Sequence, residues 1–347
     1  ELPGVDLVVG TRDRKRLVDL VESAAKGQEP RCAVSDYRAG DEFEELPALP
    51  EQGRARAFLK IQEGCTNFCT YCIVPYARGP LRSRKPASVL DEAVRLAAAG
   101  YKELVLTGIH TGAYGRDLPG RPSLAGLIGR LSAVPGLRRL RLSSIEPNDI
   151  TPGLVEAMAG SKIFCRHLHI PLQSGDDGIL KKMGRRYTAG DYARLAAVLR
   201  ENLPGLGLTT DVMVGFPGEG EEEFANTVRL VEKIAFSGLH VFKFSPRRGT
   251  PAATFPGQID AKTKERRSAR LIALGERLAA AFAGTMAGRT VEVLVEQPLG
   301  DGSGFYEGFT DNYVRAAFPA GEDRRGEIVR ICVERLDGAL LWGRIIT

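Results

Sequence analysis

Three cysteines in the segment Gly64–Gly79 have the residue type and spacing that bind iron. Cys65, Cys69 and Cys72 follow one another at C-x3-C-x2-C spacing, directly after the apolar run Phe58–Ile61. A structural zinc site normally takes four protein ligands, so three thiolates in one loop do not complete one. Three thiolates can hold three irons of a 4Fe–4S cluster, which is usually closed by four cysteines. The spacing therefore predicts a cluster with one open iron that can bind a small molecule.

The other cysteines and the histidines leave a zinc site open as a second interpretation. Cys32, Cys165, Cys332 or a histidine could supply the fourth ligand that a structural zinc needs. Cys165 and Cys332 each stand alone in the sequence, which is more typical of a small buried apolar side chain than of a ligand. The compact cysteine loop favours the cluster, and a zinc-bound module is the alternative.

Composition and length indicate a soluble globular protein of two or three domains. The 347 residues are 43% hydrophobic and 26% charged, and no apolar run is long enough to span a membrane. No segment has the pattern of a signal peptide. Six cysteines, three of them in one loop, do not form a disulfide framework, so a reducing compartment is expected. We therefore predict a cytoplasmic protein that does not bind membranes.

Positive charge is concentrated around the cysteine loop. The net charge is only +5, from 48 basic and 43 acidic residues. Residues 54–86 nevertheless carry seven basic side chains against the single acid Glu63. Such a patch suits a polyanion such as RNA, although a solvated charged face would have the same sequence pattern. The candidate phosphate-binding side chains are Arg78, Arg82, Arg84 and Arg247.

The first 53 residues predict part of a domain followed by a linker. Residues 1–34 hold one predicted strand, Leu7–Gly10, and one predicted helix, Asp13–Ala25. These two elements cannot bury their apolar sides alone, so we expect the carboxyl-terminal remnant of a larger α/β domain. Residues 35–53 combine glycine, proline and an acidic run, which is typical of a linker.

Residues 54–284 predict an α/β domain of six strand–helix units. The predicted strands are Phe58–Ile61, Glu103–Thr107, Arg138–Leu142, His167–Ile170, Gly207–Met213 and Leu239–Phe244. The predicted helices between them are Ser88–Ala99, Ser123–Ala133, Pro152–Ala159, Thr188–Glu201 and Glu219–Ile234. Units in series imply parallel strands with right-handed crossovers. Six of them form a partial (β/α)6 barrel more readily than the closed barrel of eight.

Five further polar segments follow predicted strands, as the cysteine loop does. They cover residues 107–110, 143–147, 171–175, 214–219 and 245–250. The carboxyl ends of parallel strands meet at one rim, where barrel enzymes carry their function. Each segment alone is more typical of an ordinary turn, but five at one rim beside the cysteine loop indicate a ligand site.

Residues 285–347 change in character and predict a small antiparallel β-barrel of OB-like type. The segments with strand patterns are Thr290–Glu296, Glu327–Glu334 and Leu340–Ile346, with glycine turns between them. This block carries more acidic than basic side chains. If it binds RNA, we expect contacts by shape, aromatic stacking or single arginines rather than by a broad positive field.

Taken together, the cysteine loop, the rim segments and the terminal β block resemble the methylthiotransferase branch of the radical S-adenosylmethionine (SAM) enzymes over essentially the whole chain. The segments ARGPLRSR, TGIHTGAYGRDL, RLSSIEP and HLHIPLQSGDDGILKKMGRRYT are most similar to members that act on N6-threonylcarbamoyladenosine beside the anticodon of tRNA. Relatives that act on isopentenyladenosine in tRNA, or on a ribosomal-protein aspartate, share the architecture but differ in these segments.

The resemblance implies a cofactor set and a reaction. SAM would bind the open iron, and one electron would cleave it to a 5′-deoxyadenosyl radical that removes hydrogen from C2 of the modified adenine. A second, auxiliary 4Fe–4S cluster would deliver the sulfur, and a second SAM the methyl group. In the family an amino-terminal domain carries that auxiliary cluster; residues 1–34 resemble its end, so this chain alone is expected to be incomplete. Residues 285–347 correspond to the family's TRAM domain.

The resemblance and the rim positions also nominate site residues. Tyr71 is expected to pack against the cluster or the adenine, and His110 to lie near the substrate. Candidates for binding SAM are Thr107, Gly108, Ser144, Glu146, Gln173, Arg186, Val214 and Gly215. Among these, Arg186 suits the SAM carboxylate because a planar guanidinium can bind both oxygens.

Three functions therefore stay open at the level of sequence. The first is a tRNA methylthiotransferase that works as a monomer and takes electrons from a flavodoxin or ferredoxin. The second is a methylthiotransferase that modifies a protein side chain, which would not bind tRNA in a modification-dependent way. The third is a catalytically incomplete RNA-binding fragment or a zinc-bound module, which iron and sulfide analysis would reveal.

Overall fold

The computed structural model describes residues 3–12, 14–24, 31–38, 40–46, 54–300 and 304–346. Three parts follow one another along the chain: a small amino-terminal unit, a partial barrel of parallel strands, and a closed barrel at the carboxyl end. Within the described residues, no helix has the length and apolar character needed to cross a membrane.

The amino-terminal unit is a short strand–helix–strand arrangement. β1 (Leu7–Val9) pairs in parallel with β2 (Arg31–Ala33), and α1 (Leu17–Glu22) lies between them in sequence. The predicted strand is confirmed, whereas the predicted helix 13–25 is shorter and its ends, residues 13 and 25, lie outside the described residues. The exposed apolar side chains Val18 and Val21 on α1 agree with the expectation that this unit does not bury itself.

The predicted linker 35–53 lies along the partial barrel wherever the structure describes it, at residues 35–38 and 40–46. The Tyr37 ring centre is 3.9 Å from the Arg82 guanidinium, and Glu45 forms an ion pair with Arg84 at 2.6 Å. Residues 39 and 47–53 lie outside the described residues. The described part of this segment therefore packs on the barrel through aromatic and ionic contacts.

Six parallel strands and one short antiparallel strand form the partial barrel. The strands are β3 (Arg56–Glu63), β4 (Arg82–Ser83), β5 (Glu103–Gly108), β6 (Arg139–Leu142), β7 (His167–His169), β8 (Gly207–Val214) and β9 (Gly238–Lys243). They make two sheets, in the orders β4-β3-β5-β6 and β7-β8-β9. Where the sheets meet, Leu140 of β6 forms an isolated bridge with Phe164, ahead of β7, and the Ile145 N–H donates to the His169 carbonyl at 3.0 Å. The predicted partial (β/α)6 barrel is confirmed, with a break between β6 and β7.

Helices cover the outside of these sheets. They are α2 (Val74–Arg78), α3 (Pro86–Ala98), α4 (Leu124–Leu131), α5 (Pro152–Gly160), α6 (Asp177–Lys182), α7 (Ala189–Asn202), α8 (Glu221–Ile234) and α9 (Ala261–Gly284). Their amphipathic sequences explain their positions: α8 buries Phe224, Val228 and Val231, spaced by three or four residues, against the strands. The Thr188 hydroxyl caps α7, and Asp191 completes a capping box.

The carboxyl-terminal part is a closed five-stranded barrel, as predicted for an OB-like fold. Its strands are β10 (Thr290–Pro298), β11 (Phe305–Thr310), β12 (Arg315–Pro319), β13 (Ile328–Asp337) and β14 (Leu340–Ile345), in the order β10-β11-β12-β14-β13. The pairing is antiparallel except between β12 and β14, which pair in parallel at Ala316 and Ala317. Closure leaves the strands without long open edges.

Two arginines attach the closed barrel to the amino-terminal ends of the parallel strands. Arg139 donates hydrogen bonds to the Phe309 and Glu292 carbonyls at 3.1 and 2.9 Å, and Arg141 donates to the Asp311 carbonyl at 3.1 Å. The opposite rim, at the carboxyl ends of the strands, is therefore left for the cysteine loop.

Candidate cluster site

The three cysteines lie in a loop that follows β3 and folds back on itself. Gly64 begins the loop with φ +76°, and a Cβ there would lie 1.8 Å from the Pro80 carbonyl oxygen. Because glycine has no Cβ, the Cys65 N–H can donate to the Gly79 carbonyl at 3.1 Å and close the loop. Cys69 is buried and the other two cysteines are half-buried. All three belong to one tight loop at the rim of the barrel.

The three cysteine sulfurs are not gathered around one point as the ligands of a single ion would be. Within the described residues, one group of three candidate ligands has all its donor atoms within 4.8 Å of one another: His169, Asp211 and His240. The cysteine loop does not form such a group, with or without a histidine. A 4Fe–4S cube places each thiolate on a different iron, so its three sulfurs stand farther apart than the ligands of one ion. The loop thus offers the donor set of the cluster and does not form a compact single-ion site.

The lone cysteines do not complete a zinc site with the loop. Cys165 is fully buried at the opposite end of the barrel, near Arg141, and burial raises the pKa of its thiol to about 12. Cys332 lies in β13 of the closed barrel, and Cys32 is paired in the amino-terminal sheet. This placement removes the three lone cysteines as fourth ligands of zinc, and the remaining alternative, a histidine, does not form a compact group with the loop cysteines within the described residues.

Arg185 places a buried positive charge beside Cys69. Its Nη1 lies 3.4 Å from the Cys69 sulfur, and its side chain is 3% exposed. Glu146 binds the same guanidinium through both carboxylate oxygens, and Nε donates to the Tyr187 hydroxyl at 3.0 Å. Tyr187 in turn donates to the Leu172 carbonyl at 3.0 Å. The cation is therefore held in one orientation towards the thiol.

Sequence analysis nominated the neighbouring residue, Arg186, and missed Arg185. Arg186 is exposed, and its backbone carbonyl accepts a hydrogen bond from Asn148 Nδ2 at 3.2 Å. Two adjacent arginines in a loop point in different directions, and spacing alone does not tell which one turns inward. The aromatic residue Tyr187 after the pair is a weak signal, because a buried guanidinium needs a hydrogen-bond acceptor near it.

His110 lies against Cys65, the first cysteine of the loop. Its Nδ1 is 3.9 Å from the Cys65 sulfur, and its Nε2 is 2.6 Å from Asp149 Oδ2. Burial would lower the pKa of the imidazole, but the contacts with Asp149 and Cys65 outweigh it and raise the pKa to about 9. The His110 backbone N–H also donates to Gln62 at 2.6 Å. A protonated imidazole is thus fixed beside the cluster loop.

Tyr71 contributes to an apolar layer behind the cysteines. Its ring lies edge-to-face on Phe216, with 6.4 Å between the ring centres. It packs on a group of buried apolar side chains that includes Met183 and Phe244. Burial raises the pKa of the Tyr71 hydroxyl well above its ordinary value, so the group stays neutral. Thr70 ties the loop to this layer by donating its N–H to the Met183 carbonyl at 3.0 Å.

The other nominated rim residues line the same edge, in varied environments. Thr107 and Gly108 end β5 and are half-buried, whereas Ser144 is exposed. Gln173 has φ +65° and pairs through its backbone with β8, and the Val214 side chain is buried. The Gly215 N–H donates to the Glu219 carboxylate at 3.1 and 3.2 Å.

The structure corrects the prediction of phosphate contacts for Arg82 and Arg84. Arg82 is 2% exposed and donates to the Pro80 and Arg78 carbonyls, both at 3.0 Å. Arg84 is also buried and forms ion pairs with Glu45 and Glu92. Both guanidiniums hold the loop and the covering segment in place, because a buried arginine needs paired acceptors. Arg247 is exposed, and Arg78 is half-buried, 3.3 Å from Glu63.

A polar cleft brings Cys69 of the loop together with three of the nominated rim residues, His110, Glu146 and Arg186, but not with the others. Its lining residues are Asn67, Cys69, His110, Glu146, Asn148, Asp149, Gly184, Arg185, Arg186 and Tyr187. The cleft combines two basic side chains that face cysteine sulfurs, Arg185 and His110, with the exposed Arg186. Such a site can hold an electron-rich thiolate ligand set and a charged organic molecule beside it.

Comparisons with known proteins agree with this geometry. The family model of the radical SAM superfamily matches residues 59–231, which contain all three cysteines of the loop. Threonylcarbamoyladenosine tRNA methylthiotransferase MtaB of Bacillus subtilis is 44% identical over 95% of this chain and 74% of its own length. The tRNA-2-methylthio-N(6)-dimethylallyladenosine synthase of Moorella thermoacetica is 40% identical over 100% of this chain and 78% of its own length.

Among solved structures, coproporphyrinogen III oxidase (HemN) of Escherichia coli, a radical SAM enzyme, aligns over 85% of this chain and 72% of its own, with 13% identity and a TM-score of 0.48. The curated relatives are far more similar in sequence, and the region they share with this chain includes the cysteine loop, the rim segments and the closed barrel. The chain therefore belongs to the radical SAM tRNA methylthiotransferases, a family of enzymes that transfer a sulfur-containing group.

Proposed function

We propose that the protein converts N6-threonylcarbamoyladenosine beside the anticodon of tRNA to its 2-methylthio derivative. The observation that carries this proposal is the 44% identity with the Bacillus subtilis enzyme across 95% of the chain, together with a cysteine loop built for a cluster with an open iron. The second candidate substrate is dimethylallyladenosine in tRNA. It is favoured by the 40% identity with the Moorella enzyme, which spans the whole chain.

Cys65, Cys69 and Cys72 are the residues that would hold the cluster, with SAM at its fourth iron. When bound, these groups supply the radical that removes hydrogen from C2 of the adenine. The chain's own part is to hold the thiolates and exclude water. Burial raises the pKa of the Cys72 thiol, so the bare loop favours the protonated form at this position until a metal binds.

Two cations of the chain stabilise the negative ligand set. Arg185 is directed at Cys69 and protonated His110 at Cys65, so each thiolate gains a charge-assisted contact. Their orientation is fixed by Glu146 and Asp149, which are themselves hydrogen-bonded and partly buried. We therefore assign Glu146 the role of positioning Arg185, in place of the direct SAM contact that its sequence position predicted.

The remaining nominated residues are proposed as SAM contacts. Their support is their place on the same rim as the cysteine loop, and the open mouth of the cleft at Arg186. The proposed contacts are Thr107, Gly108, Ser144, Gln173, Arg186, Val214 and Gly215. Because the Val214 side chain is buried and the Gly215 N–H is bonded to Glu219, these two would contact the adenine through backbone carbonyl and Cα groups.

Further parts of the reaction are proposed to involve groups beyond the described site. An auxiliary cluster would be held by an amino-terminal domain of the family type, and a flavodoxin or ferredoxin would supply electrons to a cytoplasmic monomer.

Residues 54–284 would form the radical SAM domain and residues 285–347 the TRAM domain. Their support is the closed barrel that begins at Thr290, directly after α9. Arg247, exposed at the rim, is the proposed phosphate contact.

The first experiment separates the cluster chemistry from the substrate. The protein is reconstituted anaerobically with iron and sulfide and mixed with SAM and dithionite, and 5′-deoxyadenosine is measured in wild type and Cys69→Ala. We expect 5′-deoxyadenosine from wild type alone. Zinc instead of iron, with no 5′-deoxyadenosine, would contradict the radical SAM assignment of this chain.

The substrate is decided by nucleoside analysis. The chain, joined to an amino-terminal domain of the family type that can hold the auxiliary cluster, is expressed in a bacterial strain that lacks both tRNA methylthiolations, and the tRNA nucleosides are examined by mass spectrometry. We expect the 2-methylthio form of threonylcarbamoyladenosine. Methylthiolation of dimethylallyladenosine would support the second candidate. A methylthio group on a ribosomal-protein aspartate, with tRNA unchanged, would overturn both.

A further inference from the structure

Three neighbouring strands present one metal-binding side chain each to the same face. On β8, Thr209 and Asp211 are two residues apart and therefore point to one side of the sheet. The parallel register places His169 of β7 beside Thr209, and His240 of β9 beside Asp211. Side chains paired in register share a face, so two imidazoles converge on one carboxylate.

The distances between these groups match the coordination sphere of a single ion. His169 Nε2 lies 3.2 Å and His240 Nδ1 lies 3.4 Å from Asp211 Oδ1, and all three donor atoms lie within 4.8 Å of one another. An ion bound at about 2.1 Å from each ligand separates neighbouring tetrahedral ligands by roughly 3.4 Å. The observed spacing therefore needs little rearrangement to accept an ion.

The surroundings orient His169 as they would a metal ligand. Its Nδ1 is 3.0 Å from the Thr209 hydroxyl, which leaves Nε2 directed at the shared centre. A metal-bound histidine characteristically uses its other ring nitrogen for such a hydrogen bond. The His169 and His240 rings are stacked, with 5.3 Å between centres and 28° between planes.

Asp211 supplies the carboxylate of the site. Its Oδ1 is the atom on which both imidazoles converge, so one oxygen and two ring nitrogens face the same point. The carboxylate offers the negative charge that balances part of a divalent cation.

The side chains of His169, Asp211 and His240 lie beside a cavity that an ion can enter. This cavity has a volume of about 670 Å³ and lies between the parallel strands and the closed barrel, lined by His169, Thr209 and His240 and, across it, by Tyr313. The side chain of His240 is 64% exposed, so ions can reach it. The residues that line this cavity are all different from those that line the cleft at the cysteine loop.

We propose that His169, Asp211 and His240 bind a divalent transition-metal ion such as Zn²⁺ or Fe²⁺, at a site separate from the cysteine loop. Two histidines and one carboxylate are a donor set that such ions accept with coordination positions left open. Water or an oxygen atom of a ligand in the cavity would occupy those positions. The proposal does not depend on which modified adenosine the enzyme uses.

Zinc binding to the reconstituted chain tests this proposal. The protein with its cluster is dialysed to equilibrium against ZnCl₂ under anaerobic conditions, and zinc and iron are measured in the same samples. We expect one zinc ion per chain with the iron content unchanged. His240→Ala and Asp211→Asn should weaken zinc binding by more than about 100-fold, since loss of even an outer-shell partner of a metal ligand costs 10- to 100-fold.

Two controls keep the result specific. His167→Gln changes a histidine that also contacts Thr209 but is not one of the three proposed ligands. This variant should retain zinc binding. A variant with Cys65, Cys69 and Cys72 replaced by alanine should bind Co²⁺ with ligand-field absorption bands and no thiolate-to-cobalt charge transfer. Thermal unfolding confirms that each variant is folded, and the exposed position of His240 makes its removal mild.

Unchanged zinc binding in the folded His240→Ala variant would overturn the proposal. So would the absence of zinc from wild type, or loss of Co²⁺ binding when the three cysteines are removed. In each case His169, Asp211 and His240 would be a hydrogen-bonded chain without a metal.

Discussion

At the scale of single residues, Arg185 beside Cys69 and His110 beside Cys65 distinguish this segment from an ordinary cysteine loop. Each carries a positive charge within 4 Å of a cysteine sulfur, and each is fixed by a carboxylate on its far side. Hydrogen bonds and charges around the sulfurs are among the protein's means of setting a cluster's reduction potential. The Arg185 charge should therefore affect the reduction potential of the cluster.

Arg185→Ala should lower the reduction potential of the reconstituted cluster. A cation near the thiolate stabilises the reduced cluster, which carries one more negative charge. A charge-assisted hydrogen bond worth roughly 1 kcal/mol corresponds to about 40 mV for one electron. The potential is measured by a redox titration followed by electron paramagnetic resonance. Arg186→Ala, which changes the exposed neighbour, is the matched control and should leave the potential unchanged; equal shifts in both variants would contradict the assignment.

Sequence reasoning predicted the cluster ligands and nominated His110, Tyr71 and Glu146 nearby, but it missed Arg185 and did not predict the contacts that these residues make. Cys65, Cys69 and Cys72 are defined by type and spacing, which are local properties. The partnership of Arg185 with Cys69 joins residues 116 positions apart, and that of Cys65 with His110 joins residues 45 apart. Such contacts depend on how strands and loops stack in space. Arg82 and Arg84 show the same limit, because sequence gave their charge but not their burial.

At the scale of elements, the cysteine loop depends on one backbone conformation. Gly64 and Gly100 both have positive φ, at +76° and +99°, but their surroundings differ. A Cβ at Gly64 would collide with the Pro80 carbonyl, whereas a Cβ at Gly100 would meet no atom within 4 Å. Alanine substitutions at Gly64 and Gly100 can therefore be compared. Both have the cost of a left-handed backbone conformation, but only the substitution at Gly64 also disturbs the closure of the loop.

Gly64→Ala should abolish stable iron binding. Because the Cβ would lie 1.8 Å from the Pro80 oxygen, the loop must open and the three thiolates must move apart. Gly100→Ala should cost about 1 kcal/mol of folding free energy and leave iron binding intact. Iron and sulfide per chain are measured after reconstitution, with thermal unfolding to confirm folding. Full iron content in Gly64→Ala would contradict this prediction, because it would show that the loop binds iron with a different backbone conformation at residue 64.

The elements that sequence predicted well are those with strong periodic patterns. All six parallel strands were predicted within a few residues, because short segments rich in aliphatic and β-branched residues alternate along the chain with longer amphipathic helices. α9, at Ala261–Gly284, was missed because its many charged residues interrupt the apolar stripe. β11 and β12 were missed as well; they contain glycine, glutamate and proline, which are uncommon in strands.

At the scale of the whole molecule, a buried ionic network joins the two barrels. Glu103, which is buried, accepts from Arg141 Nε at 2.8 Å and lies 3.5 Å from Arg56. Arg141 and Arg139 use their other N–H groups to bind carbonyls of the closed barrel. Glu103 is thus the counter-charge that allows these arginines to be buried at the junction.

Glu103→Gln should destabilise the protein by about 3 kcal/mol at pH 7, because it leaves buried guanidiniums without their counter-charge. Burial would raise the pKa of Glu103, but Arg141 and its neighbours lower it below the ordinary 4.5. The stabilisation is therefore complete above pH 4.5 and is lost as the pH falls through the lower, folded pKa. Urea unfolding at several pH values should show the difference between wild type and variant shrinking in acid.

The matched control for that prediction is Glu265→Gln. Glu265 forms an ion pair with Lys243 at 2.6 Å, and both side chains are exposed. An exposed pair contributes under about 0.5 kcal/mol, so this variant should unfold almost as wild type does. A similar loss of folding free energy in both variants would mean that the buried network at Glu103 stabilises the protein no more than an exposed ion pair does.

Recognition of tRNA also belongs to the whole molecule, because an anticodon arm is large compared with one loop. Arg247→Ala should weaken binding of all tRNAs and reduce the slope of log affinity against log salt by about one. Arg82→Ala should instead lower stability, since the buried guanidinium bonds two carbonyls and lies 3.7 Å from Glu63. Binding is measured over a series of salt concentrations, beside urea unfolding. An unchanged slope in Arg247→Ala, with a reduced slope in a stable Arg82→Ala, would reverse these two roles.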